Sequence, residues 1–384
     1  MVNPRKLLNW LRRREGAMTH LVGRLVRIES SSYDPDGVNR LVALLADEWR
    51  KRGARVNRIR PARAAGRGDV LRCELSTGTS ARGQILVLGH MDTVYERGTL
   101  ARMPFRVAGR RAYGPGTLDM KAGLAIALAA VDAMRAMGQA PRRRLVFLWT
   151  PDEEIGSGSS RKLIEREARQ SEAVLVLEPG TGVRGRLKTA RKGVGEVTIE
   201  VTGRAAHAGV NPQDGVNAVH ELALQIARVA RFSDVRRGIT VNADVIEGGT
   251  RSNVIAEHAR ARVDVRCARS TDIARLEARF RRLRPVLRGA KLRVSGGIDR
   301  PPMEQRRTAR LFRQAQAVGR ELGLRIEESS TGGGSDGNFT AALGVPTLDG
   351  LGAAGAGAHT PGEHILTRSL ADRAALLAAL MSTI

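Results

Sequence analysis

Ile85-Leu86-Val87-Leu88-Gly89 runs directly into His90-Met91-Asp92. An unbroken apolar run of this length predicts a strand buried on both faces. The polar residues that can do chemistry fall just past its carboxyl end. The same grammar recurs twice downstream. Leu145-Val146-Phe147-Leu148-Trp149 is a second buried strand that ends in Pro151-Asp152-Glu153-Glu154, and Ala173-Val174-Leu175-Val176-Leu177 is a third that ends in Glu178-Pro179. Between them, residues 121–138 predict a nearly all-apolar helix closed by Gly138, and residues 159–170 a polar one. A helix without a polar face must be buried on most sides. Strands alternating with helices predict an α/β domain with a mostly parallel sheet. Open sheets of this kind hold ligands at the carboxyl ends of their strands.

The pattern changes near residue 192. Val194 to Val201 alternates as a half-exposed strand; 215–231 reads as a helix, 239–246 and 259–267 as strands, 271–284 as a helix, and Leu292 to Ser295 as a closing strand. This β-α-β-β-α-β order predicts a ferredoxin-like α+β unit. The α/β style returns after about residue 300, with a helix over 304–322 and then Thr331-Gly332-Gly333-Gly334-Ser335-Asp336 leading into another helix. The expected organisation is one discontinuous domain, 1–191 and 299–384, with a smaller domain inserted at 192–298.

The 384 residues favour two cores over one, and 42% hydrophobic content suffices for both. With only 3% aromatic residues, packing must lean on Ala, Val and Leu. No uncharged apolar run reaches the roughly eighteen residues a membrane span requires. Asn9 and Arg12 to Arg14 interrupt the apolar residues near the start, so residues 3–28 read as an amphipathic helix, not a secretory signal, and the expected location is cytoplasmic. Cys73 and Cys267, far apart, suggest neither a disulfide framework nor a zinc knuckle. The net charge of +25 raises nucleic-acid binding as a question. Its basic residues are spread along the whole chain without interleaved aromatics for base stacking. No nucleic-acid or membrane partner is therefore expected, although the positive field would draw in anionic substrates.

Taken together, the residues at the strand ends are His90, Asp92, Asp119, Glu153, Glu154 and Glu178, joined later by His359. Imidazoles and carboxylates converging on one sheet edge suit zinc, cobalt or manganese. Two such ions can share a bridging carboxylate. Asp119, within a glycine-rich turn, is the candidate bridge. Adjacent side chains such as Glu153 and Glu154 point different ways, so one can bind metal while the other serves as a general base.

Four segments carry a specific resemblance: Gly89-His90-Met91-Asp92-Thr93-Val94, Gly116-Thr117-Leu118-Asp119-Met120-Lys121-Ala122-Gly123, Asp152-Glu153-Glu154-Ile155-Gly156-Ser157 and His359-Thr360-Pro361-Gly362-Glu363. They resemble the motifs of the M20 metallopeptidases, over roughly residues 18–384, and within them the carboxypeptidase G2-like, glutamate carboxypeptidase branch. The resemblance implies two Zn2+ per chain (Co2+ or Mn2+ as alternatives), one held by His90 and Glu178, the other by Glu154 and His359, with Asp119 bridging. It implies Glu153 as base and then acid, Asp92 as the hydrogen-bond partner of the second nitrogen of His90, and a cis peptide at Asp119–Met120. His207, in Gly203-Arg204-Ala205-Ala206-His207-Ala208-Gly209, would donate to the developing oxyanion, and in dimeric members it does so from the partner subunit. The inserted domain would thus be both lid and homodimer interface. Asn253 and Arg266 also stand in family-like segments and are candidates to bind a substrate carboxylate, a task suited to the planar fork of arginine. Gly332, Gly333 and Gly334 are candidates for an anion cradle built from backbone N–H groups.

The implied reaction is cleavage of an amide in a small carboxylate-bearing substrate, a peptide or N-acyl amino acid, with release of a C-terminal residue such as glutamate. Arg191-Lys192-Gly193, common among M20 deacylases, keeps an acetylornithine- or succinyl-diaminopimelate-type deacylase or a dipeptidase open. A non-catalytic binding protein on the same fold is the alternative from outside enzymes.

Overall fold

The computed structural model describes residues 4–62, 65–76 and 83–384. The chain divides into two compact units. The first comprises residues 1–190, 305–330 and 335–384; the second, 191–304 together with 331–334. The inserted unit thus begins at Arg191, ends at Glu304 and takes in the glycine-rich segment Thr331–Gly334.

The first unit is built on a six-stranded sheet. Its order is Arg55–Ile59, Val70–Leu75, Arg144–Thr150, Gln84–His90, Ala173–Val176 and Thr347–Leu348. The last four strands run parallel, while the first two add an antiparallel edge, so the sheet is mixed. Every residue of Gln84–His90 is buried, as expected for a central strand covered on both faces. The apolar helix Ala122–Ala136 packs against the C-terminal helix Thr367–Thr383. Three of the few aromatics cluster: Trp49, on the helix Pro35–Lys51, lies tilted at 4.2 Å from Phe147 and stacks at 6.1 Å on Trp149. Cys73 is a free buried thiol in this unit, and its burial pushes its pKa up.

One local expectation is corrected. The amphipathic N-terminal segment is two helices, Pro4–Arg12 and Glu15–Val26, because the backbone leaves helical geometry at Arg14; Asn3 lies outside the described residues. The long apolar helix runs from Ala122 to Ala136, inside the expected 121–138. Thr117–Lys121 forms a separate turn before it, with non-helical dihedrals at Asp119 and Met120.

A small antiparallel sheet completes this unit, in the order Gly355–Ala356, His364–Leu366, Arg111–Tyr113, Arg106–Ala108. Pairing of His364 with Tyr113 brings the segments on either side, 357–363 and 114–121, together.

The second unit is an antiparallel sheet in the order Thr240–Gly248, His258–Cys267, Gly193–Thr202, Lys291–Arg300, with helices Ala218–Ala230 and Ile273–Arg281. Its β-α-β-β-α-β order is ferredoxin-like. Alternate residues of Gly193–Thr202 are buried, and Val197, Ile199 and Val201 join Leu222, Val229 and Phe280 in a separate core. Cys267 is free and buried here.

Candidate metal centre

The three central parallel strands end side by side. His90 is in register with Thr150, and Leu88 with Val176. The residues that follow each strand must therefore converge. Glu153 and Glu154 lie in the single turn Glu153–Ile155 after one strand, His90 closes the next, and Glu178 follows the third.

His90 is buried, and its Nε2 lies 3.1 Å from Asp119 Oδ1 and 3.3 Å from Glu178 Oε1. The other oxygen of Asp119, Oδ2, lies 3.4 Å from Nε2 of His359, which is also 3.4 Å from Glu154 Oε1. Asp119 thus faces one histidine with each oxygen. Ligand atoms of His90, Asp119 and Glu154 all lie within 4.8 Å of one another, as do those of His90, Glu153 and Glu178. All six residues belong to the first unit. His359 reaches the cluster from a loop whose backbone takes φ +63° at that residue.

The electrostatics fit a cationic occupant. Glu154 Oε1 is buried and accepts no hydrogen bond, an orphaned acceptor of the kind that a buried site leaves for an ion. Burial raises the pKa of Glu154, and the charge of Asp119 adds to the effect. The carboxylates of Asp119 and then Glu154, facing its Nε2, raise His359 to about 10. Burial opposes the charge on His90, but hydrogen bonds to Asp119, Asp92 and Glu178 outweigh it and raise its pKa. Both imidazoles are thus drawn toward the cationic form by surplus negative charge. The nitrogen and oxygen donor set suits zinc, cobalt or manganese.

Asp92 does more than orient His90. Nδ1 of His90 lies 3.0 Å from the backbone carbonyl of Asp92 and 3.4 Å from its carboxylate. The carboxylate itself accepts from the backbone N–H of Glu153 (3.1 Å) and Glu154 (3.2 Å) and from the hydroxyl of Ser32 (2.7 Å). One buried side chain therefore fixes the Glu153–Glu154 turn against the neighbouring strand. The peptide between Asp119 and Met120 is cis. Gly89 leaves room for Met120, whose thioether a Cβ at that position would meet.

Four residues escaped sequence reasoning as parts of the site. Glu363, fully buried, accepts from the N–H groups of Leu118 (2.7 Å), Asp119 (3.0 Å) and Gly116 (3.2 Å), and from the hydroxyl of Tyr95 (2.6 Å). Lys121 donates to the carbonyl of Ile28 at 2.7 Å, and burial lowers its pKa to about 7. Nζ of Lys188 lies 3.9 Å from Glu178 Oε2. Glu363 and Lys121 stand inside the segments that carry the resemblance, which was the available signal. Nothing in the local sequence singles out Tyr95 or Lys188.

The remaining candidates lie in the second unit. His207 is exposed, and its Nδ1 accepts from the N–H groups of Gly209 and Val210, both at 3.1 Å. That arrangement assigns the ring proton to Nε2. Asn253 is on the segment paired with His207, its carbonyl accepting from Ala208 N–H at 2.9 Å. The guanidinium of Arg266 is engaged by Asp264, with Nε at 2.9 Å from Oδ1 and Nη2 at 3.0 Å from Oδ2, and by the carbonyl of Gly332 at 2.8 Å. The carbonyls of Gly333 and Gly334 accept from Arg191 at 3.2 and 2.9 Å. These glycines thus turn carbonyls toward arginines, and the N–H of Gly333 is directed to Thr331 Oγ1 at 3.3 Å.

An α/β unit with two histidines and several carboxylates gathered at its strand ends defines a metallohydrolase class. The chain belongs to peptidase family M20/M25/M40, whose sequence profile matches residues 86–383. It is 32% identical to carboxypeptidase G2 of Pseudomonas sp. (strain RS-16) over 372 residues, 94% of this chain and 88% of that one. It is 30% identical to succinyl-diaminopimelate desuccinylase of Paracidovorax citrulli over 292 residues, covering 68% and 70% of the two chains. Among solved structures, aminopeptidase PepT from Bacillus cereus superposes with a TM-score of 0.80 at 23% identity, over 96% of this chain and 98% of that one. A dinuclear metal-binding M20 peptidase of Bacillus subtilis superposes with a TM-score of 0.67 at 15% identity, over 96% and 99%. The chain is thus an M20-type metallopeptidase or amidohydrolase. Among the described residues, no helix is long and apolar enough to cross a membrane.

Proposed function

We propose that this protein is a dinuclear zinc hydrolase that cleaves the amide of a small carboxylate-bearing substrate and releases a C-terminal amino acid such as glutamate. The observation that carries the two-ion reading is Asp119, whose two oxygens face His90 and His359 separately. His90 and Glu178 would hold one ion, Glu154 and His359 the other, and Asp119 both. When bound, the ions supply Lewis acidity toward the scissile carbonyl and acidify water. Glu153 takes the proton from the attacking water and returns it to the leaving amine. Asp92 holds Glu153 in place through its backbone N–H. His207, with its proton on Nε2, is a hydrogen-bond donor suited to a carbonyl oxygen acquiring charge. Asn253 and Arg266, with Gly332 to Gly334, would recognise the substrate carboxylate, and the second unit would serve as lid and as the surface through which two chains pair.

The 32% identity to carboxypeptidase G2 supports release of a C-terminal residue. The desuccinylase relative and Arg191-Lys192-Gly193 favour a second reading, N-acyl amino acid deacylation. Metal content by plasma mass spectrometry, paired with hydrolysis of glutamyl amides, dipeptides and N-acyl amino acids, separates the readings. About two zinc per chain with chelator-sensitive release of glutamate supports the first. Turnover of N-acyl amino acids alone supports the second. Metal-loaded protein inert to the whole panel refutes both.

A further inference from the structure

The first turn of the helix Thr367–Thr383 borders a groove of about 330 Å³ in the first unit. Arg12, Arg184, Arg325, Arg368 and Arg373 all line it. Two carboxylates serve these five guanidiniums. Asp372 pairs with Arg12 at 2.9 Å and lies 3.9 Å from Arg368; Glu327 pairs with Arg325 at 2.8 Å and lies 3.9 Å from Arg184. Arg373 has neither. It is only 7% exposed, and among the described residues no hydrogen bond or ion pair meets its guanidinium. Burial lowers its pKa to about 10, with the charge of Asp372 the one opposing influence.

A buried cation without a partner is among the costliest groups a fold can keep. Here the packing makes room for it. Gly185, at φ +60°, is where a Cβ would collide with Nη2 of Arg373. The guanidinium is therefore accommodated deliberately, at the edge of a water-accessible groove, beside a helix N-terminus that itself favours negative charge. An anion entering the groove would find an unpaired buried fork, a surplus of positive charge around it and the positive end of a helix. The surplus exceeds one unit, which favours a doubly charged ligand over a lone carboxylate.

We infer that this groove is a binding site for a small phosphate-class oxyanion, anchored on Arg373 with Arg12 and Arg368 around it. The groove shares no lining residue with the proposed hydrolytic centre, and the inference does not depend on that reading.

The test is isothermal titration of the purified full chain with inorganic phosphate and with methyl phosphate, at constant ionic strength set by chloride. It is run on metal-loaded and on chelator-treated protein, because phosphate can also coordinate metal. The same titrations are made on Arg373→Met, a substitution that relieves an unpaired buried charge and so should leave the fold intact; far-ultraviolet circular dichroism checks this. The expected result is saturable one-to-one binding that survives chelation and weakens at least about tenfold in Arg373→Met, the scale of one lost charge-assisted contact. Should Arg373→Met fail to fold, Arg12→Gln and Arg368→Gln together must produce the same weakening. Binding that vanishes on chelation, that is unchanged by these substitutions, or that is matched by chloride alone overturns the inference.

Discussion

Replacing Glu363 by Gln tests the idea that one buried carboxylate holds the metal-bridging loop. Its oxygens accept four hydrogen bonds, three from the backbone N–H groups of Gly116, Leu118 and Asp119 and one from Tyr95. Glutamine keeps one acceptor oxygen and turns an NH2 group toward the other pair. If the amide oxygen stays with Leu118 and Asp119, Tyr95 can adapt, since its hydroxyl also reaches the carbonyl of Thr360 at 3.1 Å. The N–H of Gly116 cannot adapt. Stranding one buried donor costs about 1–3 kcal/mol, which corresponds to a fall in Tm of roughly 2–12 °C for a domain of this size. Alanine would strand three donors, roughly 3–9 kcal/mol, comparable to the entire stability of an ordinary domain. Because Asp119 is itself among the anchored residues, Glu363→Gln should also bind metal more weakly while keeping its secondary structure. Thermal denaturation with and without metal, and calorimetric titration of metal into chelated protein, read both effects. A Tm and a metal affinity both indistinguishable from the parent would refute the reasoning.

Three other outcomes are expected. Glu153→Gln should retain its metal and lose turnover by about 10²–10⁴-fold; loss of metal content instead would make Glu153 a ligand, a role its place within 4.8 Å of His90 and Glu178 also permits. Metal binding should tighten as pH rises toward 10, because His359, raised to about 10 by Asp119 and Glu154, must give up its proton to bind. By the same shift, the metal-free protein keeps this histidine's stabilising contribution below about pH 6.5 and loses it as pH rises through about 10; titration in buffers of different ionisation enthalpy would count the released protons, and none released would contradict the assignment. Phe147→Ala, which empties the centre of the Trp49–Phe147–Trp149 cluster, should cost about 3–5 kcal/mol and abolish much of the near-ultraviolet circular dichroism; a loss below about 1 kcal/mol would mean that the cluster repacks.

Most of the α/β unit was legible because its buried strands announce themselves as unbroken apolar runs, and each run ends in residues that have no business in a core. The ferredoxin-like unit was legible through alternation, as in Gly193–Thr202, where burial follows the period of two. What the sequence hid was three-dimensional. The antiparallel edge formed by Arg55–Ile59 and Val70–Leu75 carries no mark distinguishing it from a parallel one. The break at Arg14 falls inside a periodic pattern. Tyr95 joins the site through Glu363 and Thr360, some 268 and 265 positions away. The pairing of Arg266 with Asp264, two positions away on the same strand, was visible in principle; the carbonyl of Gly332 as its third partner was not.

The charge pattern explains why the site is arranged as it is. In a chain of net charge +25, the site gathers Asp92, Asp119, Glu153, Glu154, Glu178 and Glu363. Two of these carboxylates are satisfied by backbone: Asp92 by the N–H groups of Glu153 and Glu154, Glu363 by those of Gly116, Leu118 and Asp119. They act as fasteners, each tying a ligand-bearing turn to a neighbouring segment. The others are left facing two imidazoles and, at 3.9 Å from Glu178, Lys188. Buried negative charge in such excess is unfavourable without cations; burial and then the charge of Asp119 push the pKa of Glu154 up, and its Oε1 accepts no hydrogen bond. The fasteners are what let the remaining carboxylates stay poised at that cost. Without them, the repelling side chains would relax apart, and the geometry in which Asp119 addresses both histidines would be lost before any ion arrived.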